Sequence, residues 1–101
     1  MTIFQDYREP LDAMCRRFHV RRLEVFGSAA QQDLETCRDV DLLVEFDEAA
    51  APRLFDTFFE LERSLETLFG KPVDLVEPTG LENPFFIRQV NASRRTLYVA
   101  S

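Results

Sequence analysis

Three aspartates carry the clearest chemical potential in this sequence. Asp39 and Asp41 stand two positions apart in Asp39-Val40-Asp41, at the head of an alternating run that ends at Phe46. Residues two apart in an extended strand project from one face, so these carboxylates lie side by side and repel. A hard divalent cation removes that penalty by bridging their oxygens. Asp74 lies within a second apolar run, Val73-Asp74-Leu75-Val76, where an acid is unexpected unless it serves a site or points to solvent. Three such acids on neighbouring strands offer the donor set for two Mg2+ ions. The plain alternative makes Asp39 a loop residue, and Asp41 and Asp74 the solvated side of their strands, because alternating strands routinely carry acids outward. Gly27-Ser28 weighs toward a site. It falls between a short strand and a short helix, where backbone N–H groups at a helix N-terminus hold phosphate; the glycine permits close backbone approach and the serine hydroxyl adds a donor. Taken alone, Gly-Ser is a common turn dipeptide, and its weight comes from the combination.

The elements that must position these residues follow from periodicity. Glu9 to Phe18 reads as a helix, with Leu11, Met14, Cys15 and Phe18 at helical spacing and Pro10 tolerated in the first turn. Arg22 to Phe26 reads as a strand running into Gly27, and Ala29 to Leu34 as a short helix. Val40 to Phe46 alternates, with Val40, Leu42, Val44 and Phe46 on one face and Asp39, Asp41, Leu43 and Glu45 on the other. Pro52 opens a long helical pattern in which Leu54, Phe58, Leu61, Leu65 and Leu68 form the stripe, Phe55 and Phe69 widen it, and Gly70 supplies the stop. Val73 to Val76 is a minimal strand, Phe85 to Ala92 a helix behind a Pro/Gly/Asn loop, and Thr96 to Val99 a last strand. This order predicts a single α/β (α+β) domain over residues 1 to 101: one small mixed sheet with helices packed mainly on one face, leaving the other face open.

Gly27-Ser28, ten intervening residues, Asp39-Val40-Asp41 and a distant strand aspartate together resemble the nucleotidyltransferase superfamily related to DNA polymerase beta. More narrowly, Val25-Phe26-Gly27-Ser28-Ala29, Asp39 to Phe46 and Lys71-Pro72-Val73-Asp74-Leu75-Val76 resemble the minimal nucleotidyltransferases, which are often paired with a HEPN-domain protein as its antitoxin. The resemblance implies the polymerase beta-like fold, Gly27 and Ser28 binding a nucleoside triphosphate, Asp39, Asp41 and Asp74 as catalytic residues and Mg2+ ligands, and ATP as the substrate. It further implies transfer of AMP to a tyrosine hydroxyl on a small helical HEPN-type toxin, in a homo- or hetero-oligomer. Two positions depart from the pattern. Gln32 or Asp33 stands where relatives commonly carry a glycine, and Arg38 stands where a Ser or Thr usually precedes the first acid. Arg38 either contacts a phosphate of the nucleotide or pairs with Asp39 and weakens metal binding. The second choice leads to a different class of function, a catalytically weak or inactive module of the same fold that neutralises its partner by contact.

Composition excludes other classes. The 101 residues are 46% hydrophobic and 30% charged, enough to keep a core, and the formal net charge of -6 disfavours direct DNA binding and anionic membranes. No apolar run approaches the roughly 20 residues of a membrane span, and the N-terminus lacks the pattern of a secretory signal, so a cytoplasmic location is expected. Cys15 and Cys37 read as two reduced thiols, Cys37 as a passive loop residue. Arg16, Arg17, Arg21 and Arg22 with His19 fall within seven residues, either as a solvated helix end or as a docking patch for an acidic partner or RNA; His19 itself reads as structural. Ten phenylalanines are many for this length. Phe59 falls off the helical stripe, and adjacent Phe85 and Phe86 cannot both face inward, so one or two exposed aromatics are expected.

Overall fold

In the computed structural model, residues 7–27, 30, 37–78 and 84–100 are described. They form α1 (Arg8–Arg17), β1 (Val20–Phe26), β2 (Val40–Phe46), a 3-10 helix (Glu48–Arg53), α2 (Leu54–Phe69), β3 (Val73–Val76), α3 (Pro84–Ser93) and β4 (Arg95–Val99). The strands make one mixed sheet in the order β3-β2-β1-β4. β1 pairs antiparallel with both β2 and β4, whereas β2 and β3 run parallel. A parallel neighbour requires a crossover, and α2 provides it, carrying the chain from the end of β2 back to the start of β3.

Alternation along β2 sorts the core. Val40, Leu42 and Val44 face Leu23 and Val25 of β1, Val73 and Leu75 of β3, and the buried sides of α1 (Leu11, Cys15) and α2 (Leu61, Leu65, Phe69). A smaller cluster on the other face joins Phe26, Leu43 and Val90, with Val76 against it. Two helices therefore cover one face, and α3 lies on the second, which the sequence reading left open. Leu43 and Phe26 are the cause, since two large apolar side chains on that face need cover and Val90 supplies it. Cys15 and Cys37 are both buried and form no disulfide, and burial with the nearby Asp12 pushes the Cys15 thiol up to about 12.

Boundaries moved for identifiable reasons. β1 starts at Val20 rather than Arg22, because an irregularity between Val20 and Arg22 lets Val20 pair with Phe46 and fill the core. Pro52 does not open an α-helix; it lies in the 3-10 turn, which Asp47 caps by accepting the Ala49 N–H, and regular helix begins only at Leu54. Gly70 ends α2 with φ 68°, donating its N–H to the Glu66 carbonyl at 2.8 Å. The helix expected over Ala29 to Leu34 lies outside the described residues except for Ala30, which is helical, buried and donates to the Gly27 carbonyl at 3.2 Å. Among the described residues no helix is long and apolar enough to cross a membrane.

The arginine-rich segment does not form one patch. Arg16 lines a cleft between α1 and β4, whereas Arg22 lines a cleft on the α3 side of the sheet. His19 adopts φ 59° in the turn between α1 and β1, where its carbonyl accepts the Asp47 N–H at 2.8 Å. The contact is made by its backbone, and the residue is exposed.

Phe59 is 43% exposed, as its place off the stripe predicts, but Phe55 is 75% exposed and does not widen the buried face. Leu54 beside it is exposed as well, and the buried residues of α2 are Leu61, Leu65 and Phe69, so the first turn of the helix contributes nothing to the core. The two rings stack edge to face at 4.8 Å, outside the core. Phe55→Ser is accordingly expected to change unfolding free energy by no more than about 0.5 kcal/mol, the range of surface substitutions, in a urea titration.

Candidate functional site

The sheet register brings the predicted acids together. Asp41 lies opposite Asp74 in the parallel β2–β3 pair and opposite Phe26 in the antiparallel β1–β2 pair, so Gly27 follows immediately beside it. Gly27, Asp41 and Asp74 thus lie across three strands at one end of the second sheet face. Asp39 sits just before β2, exposed to solvent. The starts of the two acid-bearing strands are pinned to each other: Val40 N–H donates to the Pro72 carbonyl at 3.0 Å, and the Lys71 ammonium donates to the Cys37 carbonyl. Cys37 is a buried segment anchor, consistent with a passive role.

Electrostatics at this end are unfavourable to the isolated protein. The Asp41 carboxyl is raised above its ordinary value, first by burial and then by the charges of Asp74 and Asp39. A carboxyl penalised by burial and by like charges beside it marks a candidate site. Among the described residues no three acidic, thiol or imidazole groups converge closely enough to enclose a cation unaided. A Mg2+ ion at this end would need further oxygens, from water and substrate phosphates.

Gly27 packs against the same carboxylate. Its φ is +70°, and a Cβ built there would stand 2.8 Å from Asp41 Oδ2. The missing side chain lets the turn press directly against the carboxylate. Ser28 lies outside the described residues, and Arg38 is exposed one residue ahead of Asp39.

Three residues missed by the sequence reading complete the surroundings. Ser93, at the end of α3, accepts the Gly27 N–H on its Oγ at 2.9 Å, tying the turn to a helix 66 residues away in sequence. Glu24 is only 3% exposed, and Arg94 Nε meets its carboxylate at 3.2 Å. Thr96 Oγ1 also donates to Glu24, at 3.5 Å, and Arg94 donates to Asn91 Oδ1 at 3.0 Å. Ser93 and Arg94 therefore fasten the end of α3 to the end of β1. The one available signal was Glu24 itself, an acid between Leu23 and Val25 that an internal strand buries only with a partner.

Comparison with known proteins agrees with this geometry. Residues 9–101 match the family model for polymerase beta nucleotidyltransferases. The chain is 45% identical over 67 residues to protein adenylyltransferase MntA of Thermococcus cleftensis, covering 66% of this chain and 65% of that protein, just under two thirds of its length. It is 33% identical to a solved candidate minimal nucleotidyltransferase, with a TM-score of 0.71 over 94% of this chain and 95% of the other. The fold is shared, at 18% identity and a TM-score of 0.61, with a complex of the tri-AMPylated Shewanella oneidensis HEPN toxin and its MNT antitoxin, over 97% of this chain and 74% of the matched one. The family match spans almost the entire sequence, including Gly27, Asp39, Asp41 and Asp74, and the chain therefore belongs to the polymerase beta nucleotidyltransferase family.

Proposed function

We propose that this chain is a Mg2+-dependent adenylyltransferase that moves AMP from ATP onto a tyrosine hydroxyl of a small helical HEPN-type toxin, and so acts as its antitoxin. The observation that carries the reading is the in-register Asp41–Asp74 pair with the Gly27 turn packed on Asp41. A carboxylate pair beside a backbone concavity is the recurring requirement for bringing metal and triphosphate to one point. The names of the relatives give the direction: the Thermococcus protein is an adenylyltransferase acting on protein, and the Shewanella antitoxin accompanies an AMPylated HEPN toxin.

Asp39, Asp41 and Asp74 would hold the metal, two ions in the full set, whose chemistry is to neutralise charge on the transferring phosphoryl group. Gly27 and Ser28 bind the triphosphate at the turn, and Arg38 offers its guanidinium to a phosphate oxygen. The tyrosine oxygen attacks the α-phosphorus as the bond to the α,β-bridging oxygen breaks, and pyrophosphate departs with the electron pair. Asp74, exposed to solvent, accepts the hydroxyl proton. Protein and partner form a hetero-oligomer, in which the partner's surface brings the acceptor to the open end of the site.

The test mixes the purified chain, its helical partner, Mg2+ and α-labelled ATP. Label is expected on the partner, and Asp39→Ala with Asp41→Ala abolishes both labelling and neutralisation. Neutralisation that persists in the double variant, with no label in the wild type, would instead establish the contact-only module.

A further inference from the structure

β3 is an edge strand of the sheet, and its outward backbone groups follow from its pairing. Because Val40 N–H donates to the Pro72 carbonyl, residues 72, 74 and 76 turn their polar backbone groups toward β2, and 73 and 75 turn theirs outward. An exposed edge leaves such N–H groups to water or to another strand. Here they are taken by side chains from α2. Glu66 Oε2 accepts the Val73 N–H at 3.1 Å, and the Glu62 carboxylate accepts the Leu75 N–H. Glu62 and Glu66 are four residues apart, one helical turn, which matches the two-residue step between outward groups on a strand at roughly 6 to 7 Å.

The two accepted N–H groups flank Asp74 on either side. We propose that Glu62 and Glu66 are positioning residues, which clamp the edge strand to α2 and thereby fix the Asp74 carboxylate opposite Asp41. An edge strand bonded on one side only is free to fray, and α2 gives it a second ladder made of side chains. The arrangement brings further negative charge toward Asp74: Glu62 is itself raised above its ordinary value, first by burial and then by Glu66 and Asp74. A clamp of neutral acceptors would avoid that cost. Carboxylates make the stronger, charge-assisted bond to backbone N–H.

The inference rests on the proposed metal-dependent transfer for its meaning, but its test separates the two. Wild type, Glu62→Ala/Glu66→Ala and Glu62→Gln/Glu66→Gln are compared as full chains by amide hydrogen exchange and by Mn2+ titration. The Gln pair keeps the acceptor oxygens and loses the charge, so it distinguishes clamping from electrostatics. Slow exchange at Val73 and Leu75 is expected in the wild type and the Gln pair, and at least tenfold faster exchange in the Ala pair. Mn2+ affinity is expected to fall about 10- to 100-fold in the Ala pair and to return most of the way in the Gln pair, the scale seen for groups that orient metal ligands. Equal protection in all three proteins would overturn the clamp, as would equal loss of Mn2+ affinity in the Ala and Gln pairs. If the Ala pair does not fold, the single variants Glu62→Ala and Glu66→Ala are read the same way, each at its own amide. A wild type that transfers no AMP would overturn the proposed activity and leave the exchange and Mn2+ readings standing.

Discussion

Asp41→Asn is expected to abolish nucleotidyl transfer while making the metal-free protein more stable. The two effects share one cause. Asp41 is the acid whose ionised form the fold penalises, through burial and through Asp74 and Asp39 beside it. Asparagine keeps the shape and removes the charge. The repulsion disappears and unfolding free energy rises, by at most about 1 kcal/mol for a partly solvated group. Loss of a ligand to a metal that contributes several kcal/mol of transition-state stabilisation lowers the rate about a thousandfold or more. The pH dependence has a definite sign. A carboxyl raised in the folded state binds its proton more tightly there than in the unfolded chain, so protonation favours folding. The wild-type penalty is complete above the raised value, and it is relieved as pH falls toward the ordinary 3.8. Metal-free wild type should therefore gain stability on acidification through that window, and Asp41→Asn should show a flatter curve. Thermal melts across pH 3 to 7, with and without Mg2+ and a non-hydrolysable ATP analogue, measure this. A variant less stable than wild type at neutral pH would overturn this account, because burial and repulsion both penalise the ionised carboxylate.

The chemistry was more legible in the sequence than the packing that supports it. Val40–Phe46 and Val73–Val76 were read with their observed bounds, because a strand of alternating or continuous β-branched residues between turn signals is a local pattern. Local pattern also placed Asp41 and Asp74 on strands. It could not supply their register, which is set by the crossover through α2 and by contacts such as Val40 to Pro72. Ser93 was invisible for the same reason: nothing near it in sequence announces a bond to Gly27. Glu24 carried a partial signal, yet its partner Arg94 comes from the far end of the chain. The 3-10 turn at Glu48–Arg53 escaped because Pro52 fits either a helix start or a tight turn, and the Asp47 cap decides between them. Phe55 and Leu54 fit the apolar stripe by angle but lie on the first turn of α2, and only the later residues Leu61, Leu65 and Phe69 are buried, which periodicity cannot reveal.

Charge gives these observations a common thread. The formal net charge of -6 first served to exclude nucleic-acid and membrane binding. In the fold, part of that charge is gathered at one end of the sheet, where Asp39, Asp41 and Asp74 lie on or beside β2 and β3 and Glu62 and Glu66 reach the edge of β3. Such a gathering costs stability by repulsion, and under the proposed function a bound cation or cation–nucleotide complex would offset that cost.

Gly27→Ala tests how tightly that end is built. At φ +70° any L residue is strained, which costs roughly 1 to 2 kcal/mol before contacts are considered. The added methyl would also stand 2.8 Å from Asp41 Oδ2, closer than real Cβ contacts allow, so something must shift. Two responses are open. The turn can lift, stretching the Gly27 N–H bond to Ser93, or Asp41 can rotate away, losing its place opposite Asp74. Rotation is the easier response, because the contact is with the tip of a side chain and not with backbone. A carboxylate displaced by about 1 Å is enough to lower transfer about a hundredfold, since in-line displacement depends on placement. The variant is thus expected to fold, to melt several degrees lower, and to lose about two orders of magnitude in kcat, with partner binding intact. Adding Asp41→Asn separates the contributions. If the clash with the carboxylate causes the catalytic loss, the double variant transfers no more slowly than Asp41→Asn alone, while the backbone strain remains in its melting temperature. A double variant that loses a further hundredfold would mean that the Gly27 turn acts on the nucleotide directly and not through Asp41.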